Sequence, residues 1–307
     1  MNDRNTLLLT GATGLVGAAL RPRLAGDGLR VVTLGRDPAR NDFVWDAASG
    51  EPPPAEALKG LKAVVNLAGS PIAERWSAAR KRDIRATRVN GTLALASALA
   101  ALPVGDRPET FVSASGVSIY GIRRQETRLT EDSPLIPGSP QFLPAVSRDW
   151  EAASDPAKQA GIRTVLLRMA PVLSAKGGML RTVLPVFRAG LGGPVGDGRQ
   201  RVCWIVLDDL VSLIRFALNT PTLAGPVNAV APEIVTNERF AELLGRAVGK
   251  RARLRTPAGA VKLAFGEMAG ETILSDVAPY PEKALRAGFV FAYPTLEGAL
   301  ASLALKG

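Results

Sequence analysis

The run Leu7-Leu-Leu-Thr-Gly11-Ala-Thr-Gly14-Leu-Val-Gly17 constrains this chain more than any other feature. Three consecutive leucines, a glycine turn and helix-spaced apolar residues read as a strand, a tight turn and the start of a helix. A strand that is apolar on both faces must be covered on both, as in a parallel sheet flanked by helices. In the turn, Gly11 permits the tight bend, Gly14 lets backbone approach a diphosphate, and Gly17 lets helix pack close to strand. The first amides of the helix and its dipole then face an anion. The spacing is GxxGxxG. In this strand-to-helix context it predicts dinucleotide binding, with Gly11, Thr13, Gly14, Leu15, Val16 and Gly17 around the ligand.

The rest of the first half keeps the same alternation. Apolar runs at 29–34, 62–67, 110–112 and 163–169 are separated by helical patterns at 15–24, 77–101 and 145–159, with a short strand at 43–45. Right-handed crossovers turn that order into a doubly wound parallel α/β sheet. A proline-rich segment, 133–144, with Pro134, Pro137, Pro140 and Pro144, is expected to be irregular and to border a site. Beyond residue 169 the alternation loosens and glycine-rich turns appear at 177–178 and 191–198. Residues 1–172 are therefore expected to form the sheet domain, with 205–228 returning to it. Residues 173–204 and 229–307 would form a smaller substrate lobe.

The second strand, Arg30-Val-Val-Thr-Leu34, ends in Gly35-Arg36, where NAD-specific sites place an acid for the ribose 2′-hydroxyl. A guanidinium fork suits a 2′-phosphate instead, so NADP(H) is the expected cofactor, with Arg36 reading it. Asp37 could be that acid displaced by one residue; before Pro38 it also fits a helix N-cap followed by proline at the first helical position, which is the preferred reading. The fourth strand ends Asn66-Leu67-Ala68-Gly69, small enough for adenosine to lie over the backbone.

Composition narrows the chemistry. The chain has no histidine and one cysteine, Cys203, which removes a Ser-His-Asp triad, a Cys-His pair, an imidazole zinc site and a disulfide framework. No metal site is expected. Arginine supplies 29 of the 38 basic residues behind the net charge of +10, so a polyanion partner must be weighed. The arginines are spread along the whole chain, and no aromatic-interleaved platform accompanies them, so nucleic acid is not the expected partner. There is no signal-peptide layout and no stretch suited to span a membrane, and a reducing, cytoplasmic setting is expected.

TGATGLVG, VNLAGSPIAERW, SASGVSIYG, GGPVGDGRQRVCWIVLDDL and the C-terminal FGEMAGETILSD together resemble the extended short-chain dehydrogenases/reductases. More closely they resemble the atypical, epimerase-like YfcH-type branch of the NAD(P)-dependent epimerase/dehydratase superfamily. The resemblance implies a Rossmann domain, a small C-terminal substrate lobe, NADP(H), a small-molecule substrate and, as in many relatives, a homodimer. It also implies an active-site serine, a Tyr-x-x-x-Lys pair and a helix asparagine. Ser115 fits the serine slot. Leucine (Leu143) stands in the tyrosine slot, serine (Ser147) in the lysine slot, and Arg88 in the asparagine slot. Val202 stands where true epimerases place the arginine that grips a sugar nucleotide's phosphate, which argues against that substrate. With the tyrosine slot empty, Tyr120 is the nearby phenol that could act as the acid, so Ser115 and Tyr120 are the candidate catalytic residues. Arg88, Ser113 and Ala114 complete the candidate cofactor residues. The resulting expectation is an NADP(H)-dependent oxidoreductase acting on a small carbonyl or quinone-like compound. A non-catalytic sensor of the NADPH/NADP⁺ ratio is the alternative.

Overall fold

Leu7, Leu8 and Leu9 are fully buried and point alternately to opposite sides, Leu7 and Leu9 into one core layer and Leu8 into another. That alternation organises the fold in the computed structural model, which describes residues 4–122 and 128–305. Seven strands form one sheet: β1 (Thr6–Thr10), β2 (Arg30–Gly35), β3 (Phe43–Val44), β4 (Leu61–Asn66), β5 (Thr110–Gly116), β6 (Arg163–Met169) and β10 (Gly225–Ala229). All neighbours are parallel and the order is β10-β6-β5-β4-β1-β2-β3. The order reverses between β1 and β4, and in such sheets ligands bind at the carboxyl ends beside that switch point.

Helices α1 (Leu15–Gly26) and α7 (Leu207–Asn219) cover one face through Leu20, Leu24, Leu210, Leu213 and Ile214. The other face is covered by α3 (Gly91–Ala100) and α5 (Asp155–Gln159) through Leu95, Leu99 and Ala157. A separate core joins α6 (Gly178–Arg188), α8 (Asn237–Ala247) and α12 (Leu296–Ser302) around Leu184, Trp204, Leu244 and Leu296. It is laced by two short strand pairs, β7 (Val172–Ser174) with β9 (Ile205–Val206), and β8 (Arg201–Val202) with β11 (Val235–Thr236).

Three elements depart from the sequence reading. The single helix expected over 77–101 is α2 (Ala78–Arg85), a π-helical turn over Ala86–Asn90, and then α3. Gly91 follows the turn at a point where a Cβ would lie 2.6 Å from that of Ala47, so the helix is pressed against the loop after β3. The helix expected over 145–159 is two, α4 (Phe142–Ala152) and α5, because Pro156 has no N–H to continue the ladder. Pro144 lies inside the first turn of α4, where its missing N–H is an orphan in any case. Asp37 caps no helix: its carboxylate accepts from the Ala39 amide, at 2.9 Å, within an isolated turn. The remaining helices, α9 (Ala258–Phe265), α10 (Glu267–Glu271) and α11 (Glu282–Arg286), belong to the C-terminal part.

Candidate functional site

The turn after β1 is as tight as its glycines suggest. Gly11 has φ +68°, and a Cβ there would lie 2.6 Å from the Leu67 carbonyl. At Gly17 a Cβ would come within 2.3 Å of the Gly11 carbonyl, so α1 begins directly against the loop. The N-cap of α1 is Gly14, which offers no side-chain acceptor, and the first amides of the helix are left for a ligand. Thr13 is exposed at the rim, while Leu15 and Val16 are half-buried. Leu15 packs against Gly177 and Gly178, whose Cβ positions would lie 3.3 and 3.2 Å from its methyl groups.

Beside this loop lies a cleft of about 450 Å³ lined by Gly11, Thr13, Gly35, Arg36, Arg40 and Asn41, among others. Arg36 and Arg40 are exposed, and among the described residues neither makes an ion pair with a carboxylate. The end of β4 lies against the glycine turn, with the Leu67 carbonyl beside Gly11. There Thr10 Oγ1 accepts from the Leu67 and Ala68 amides at 3.1 Å and donates to Asn66 Oδ1 at 2.6 Å. Asn66 in turn donates to Thr92 and Ser113. Asn66, Ser113 and Ala114, expected beside the cofactor, are buried. Buried amide and hydroxyl groups must find partners, and these have found one another. They brace the backbone of Leu67, Ala68 and Gly69 from beneath.

The two candidate catalytic hydroxyls are also committed elsewhere. Leu143, Ser147 and Glu151 share one face of α4 at four-residue intervals, each step about 6 Å deeper along the axis. Ser115 donates to Glu151 Oε1 at 2.8 Å, at the deepest of these levels, and is 2% exposed. Glu151 is held by Arg168, whose Nε and Nη2 donate at 2.8 and 3.0 Å. Burial opposes the charge on Arg168, but the Glu151 carboxylate more than offsets it and raises the arginine above its ordinary value. Arg168 Nη1 donates to the Tyr120 hydroxyl at 2.9 Å, and that hydroxyl donates to Asn228 Oδ1 at 2.8 Å. Tyr120 is fully buried, and burial raises its pKa above that of an ordinary phenol despite the neighbouring guanidinium. Ser115 and Tyr120 thus belong to a buried polar network behind the cleft.

The hydroxyls at the level of the lysine slot are Ser147 and Ser118, 2.8 Å apart. Ser118 follows β5 in a 3₁₀ turn over Val117–Tyr120 and is half-buried. A Cβ at Gly116 would lie 3.1 Å from Ser118 Oγ and 3.5 Å from Ser147 Oγ, so the glycine keeps the space above the pair open. Ser118 was missed in the sequence because the serine slot had already been given to Ser115. Two further residues arrive from the C-terminal part. Glu271 accepts from the Phe142 and Leu143 amides at 2.9 and 2.7 Å, supplying the cap that Gln141 does not. Glu267 pairs with Lys81 at 2.8 Å, and the same ammonium lies 4.7 Å over the Phe142 ring. Cys203 is no nucleophile here, since burial pushes its thiol up to about 12.

A reversing parallel sheet, an uncapped helix behind a glycine turn and a cation-lined cleft define a Rossmann-type nucleotide-binding protein. The chain belongs to the NAD dependent epimerase/dehydratase family, whose model matches residues 7–230. A second model, a domain of unknown function (DUF1731), matches residues 256–303, the segment that carries Glu267 and Glu271. The chain is 41% identical over 295 residues to epimerase family protein Mb2239 of Mycobacterium bovis, covering 95% of each. It is similar to the crystal structure of human epimerase family protein SDR39U1 (isoform 2) with NADPH, at TM-score 0.86 and 32% identity, over 97% of this chain and 99% of that one. Among the described residues no helix is long and apolar enough to cross a membrane.

Proposed function

We propose that the chain is an NADP(H)-dependent oxidoreductase that acts on a small carbonyl or quinone-like compound without a Tyr-x-x-x-Lys pair. The observation that carries the cofactor choice is Arg36 with Arg40, two exposed guanidinium groups that pair with no carboxylate among the described residues, at the cleft beside the glycine turn. The NADPH in the human relative's structure supports the same choice. The exposed start of α1 at Gly14 fits a diphosphate, which the amides of Leu15 and Val16 would hold. Leu67, Ala68 and Gly69 would form the wall along the ribose, with Arg36 and Arg40 on the 2′-phosphate.

The nicotinamide, when bound, supplies or accepts the hydride. Ser118 is the hydroxyl placed to donate a hydrogen bond to the substrate oxygen and so stabilise the negative charge that hydride addition builds there, with Ser147 as its partner. Leu143 carries no proton and keeps its part of the cleft apolar, so orientation in a water-poor site supplies most of the acceleration. Ser115 and Tyr120 act from behind, holding β5 and its turn through Glu151, Arg168 and Asn228. The alternative, an NADP(H) sensor without turnover, draws on Leu143 and Ser147 in the two slots.

Fluorescence titration with NADPH and NADH tests the reading. NADPH is expected to bind at least about tenfold more tightly, and Arg36→Ala to remove most of that difference. Equal affinities in the wild type would refute the NADP(H) assignment. Consumption of NADPH across a panel of aldehydes, ketones and quinones separates the enzyme from the sensor. A sensor shows none, yet binds NADPH and NADP⁺ with different affinities.

A further inference from the structure

Arg88 is an unusual cation for its surroundings. It lies in the π-helical turn Ala86–Asn90, and a π turn inside a helix is frequent at functional sites. Its Nη1 donates to two backbone carbonyls, Ser70 at 3.0 Å and Ile84 at 3.3 Å. Its guanidinium carbon lies 5.1 Å over the Trp150 ring and 3.3 Å from where a Cβ on Gly69 would stand. Arg80 engages both nearby acids, Glu74 and Asp83, so among the described residues no carboxylate pairs with Arg88. Burial lowers its pKa to about 10, the mark of a charge kept from water with incomplete compensation. A cation kept in that state beside the exposed Gly69 is poised for an electron-rich ligand atom.

The position says which part of a ligand. Gly69 ends the wall that runs from the glycine turn toward α4, and Trp150 is three residues along α4 from Ser147, the lysine slot. The adenosine end already has Arg36 and Arg40. We propose that Arg88 receives the oxygen atoms of the nicotinamide half of the dinucleotide, supplying from the 86–90 turn the positive charge that Ser147 cannot. The inference rests on the NADP(H) reading above. It makes Arg88 a cofactor-binding and positioning residue, with its guanidinium plane held by Trp150 beneath and the Ser70 carbonyl at its edge. The π turn is what allows this. One extra residue in the turn rotates Arg88 toward Gly69 and away from the solvent face shared by Arg82 and Arg85.

Calorimetric titration with two ligands tests it, one of them NADPH and the other 2′,5′-ADP, which keeps the adenosine 2′-phosphate and lacks the nicotinamide half. Arg88→Met is expected to weaken NADPH binding about tenfold or more and to leave 2′,5′-ADP within about twofold of the wild type. Arg88→Lys, which keeps the charge, should recover part of the loss, and Arg36→Ala should weaken both ligands. Unchanged NADPH affinity in Arg88→Met overturns the proposal, whatever happens to the melting temperature of the ligand-free protein. Equal weakening of both ligands also overturns it, since that places the effect in the fold. Should Arg88→Met fail to fold, Arg88→Gln, which keeps N–H donors for the two carbonyls, carries the same comparison. Wild-type protein that binds neither ligand removes the NADP(H) reading itself, a result distinct from failure of the Arg88 assignment.

Discussion

Replacing Glu151 with glutamine keeps the shape of the side chain and removes the charge that neutralises Arg168. The carboxylate accepts from Arg168 Nε at 2.8 Å, from Nη2 at 3.0 Å and from Ser115 at 2.8 Å, with the arginine and glutamate side chains only 5% and 12% exposed. Removing one partner of a buried, multiply hydrogen-bonded pair typically costs about 3–5 kcal/mol, because the other charge is left without compensation. Against a total stability of about 5–15 kcal/mol, that is a large share. The same helix carries an internal control, since Asp149 pairs with Arg85 where both side chains are 45–47% exposed. Asp149→Asn should cost at most about 1 kcal/mol. Urea unfolding at neutral pH reads both, as a fall in midpoint at constant slope. Removing both buried charges, in Glu151→Leu with Arg168→Met, should recover much of the loss. If Glu151→Gln and Asp149→Asn cost the same, the network does not carry the load assigned to it, and the account of Ser115 and Tyr120 as buried supports goes with it.

Two other outcomes follow from the same geometry. Tyr120 has its pKa raised by burial, so its contribution to stability is complete below the ordinary phenol value near 10 and is lost as pH climbs through the higher folded value. In an ultraviolet titration, Tyr120→Phe should remove an ionisation that lies above the ordinary phenol range; loss of one within that range would contradict the burial argument. Glu271→Ala should cost about 1–2 kcal/mol and speed hydrogen exchange at the Phe142 and Leu143 amides, whose acceptor it removes; unchanged exchange there would mean that α4 does not depend on this cap.

The sheet was legible because its signal is local. Runs such as Leu7–Leu9 cannot be satisfied with one face in water, and the glycine spacing after them is short enough to read directly. The place of Arg36 at the cleft was legible for the same reason, since it directly follows β2 in sequence. The π turn was not, since it depends on Gly91 meeting Ala47, residues that only the folded sheet brings together. The pattern of side chains around β5 identified Ser115 and Tyr120 as chemistry-bearing types, but not that Glu151 and Asn228 would claim their hydroxyls. Periodicity gives the face of a strand and not its depth, and here about one helical turn of depth separates Ser115 from Ser118. The hydrogen bond from Asn66 to Ser113 was not legible either, since a small polar residue at a strand end reads equally as a ligand contact or as a brace. Glu271 left no trace at all, acting on residues well over a hundred positions away.

The cap on α4 also bears on how the molecule is made. Glu271 lies 129 residues beyond Phe142, and at about 5–20 residues per second a ribosome needs on the order of 10 s to cover that interval. That interval opens with the glycine turn, the arginines beside it and five of the seven sheet strands already made, and the other two strands are added within it. The helix bearing Leu143 and Ser147 still has unclaimed amides at its start. The glycine turn and its arginines are thus complete in the chain well before the acceptor that finishes the start of α4.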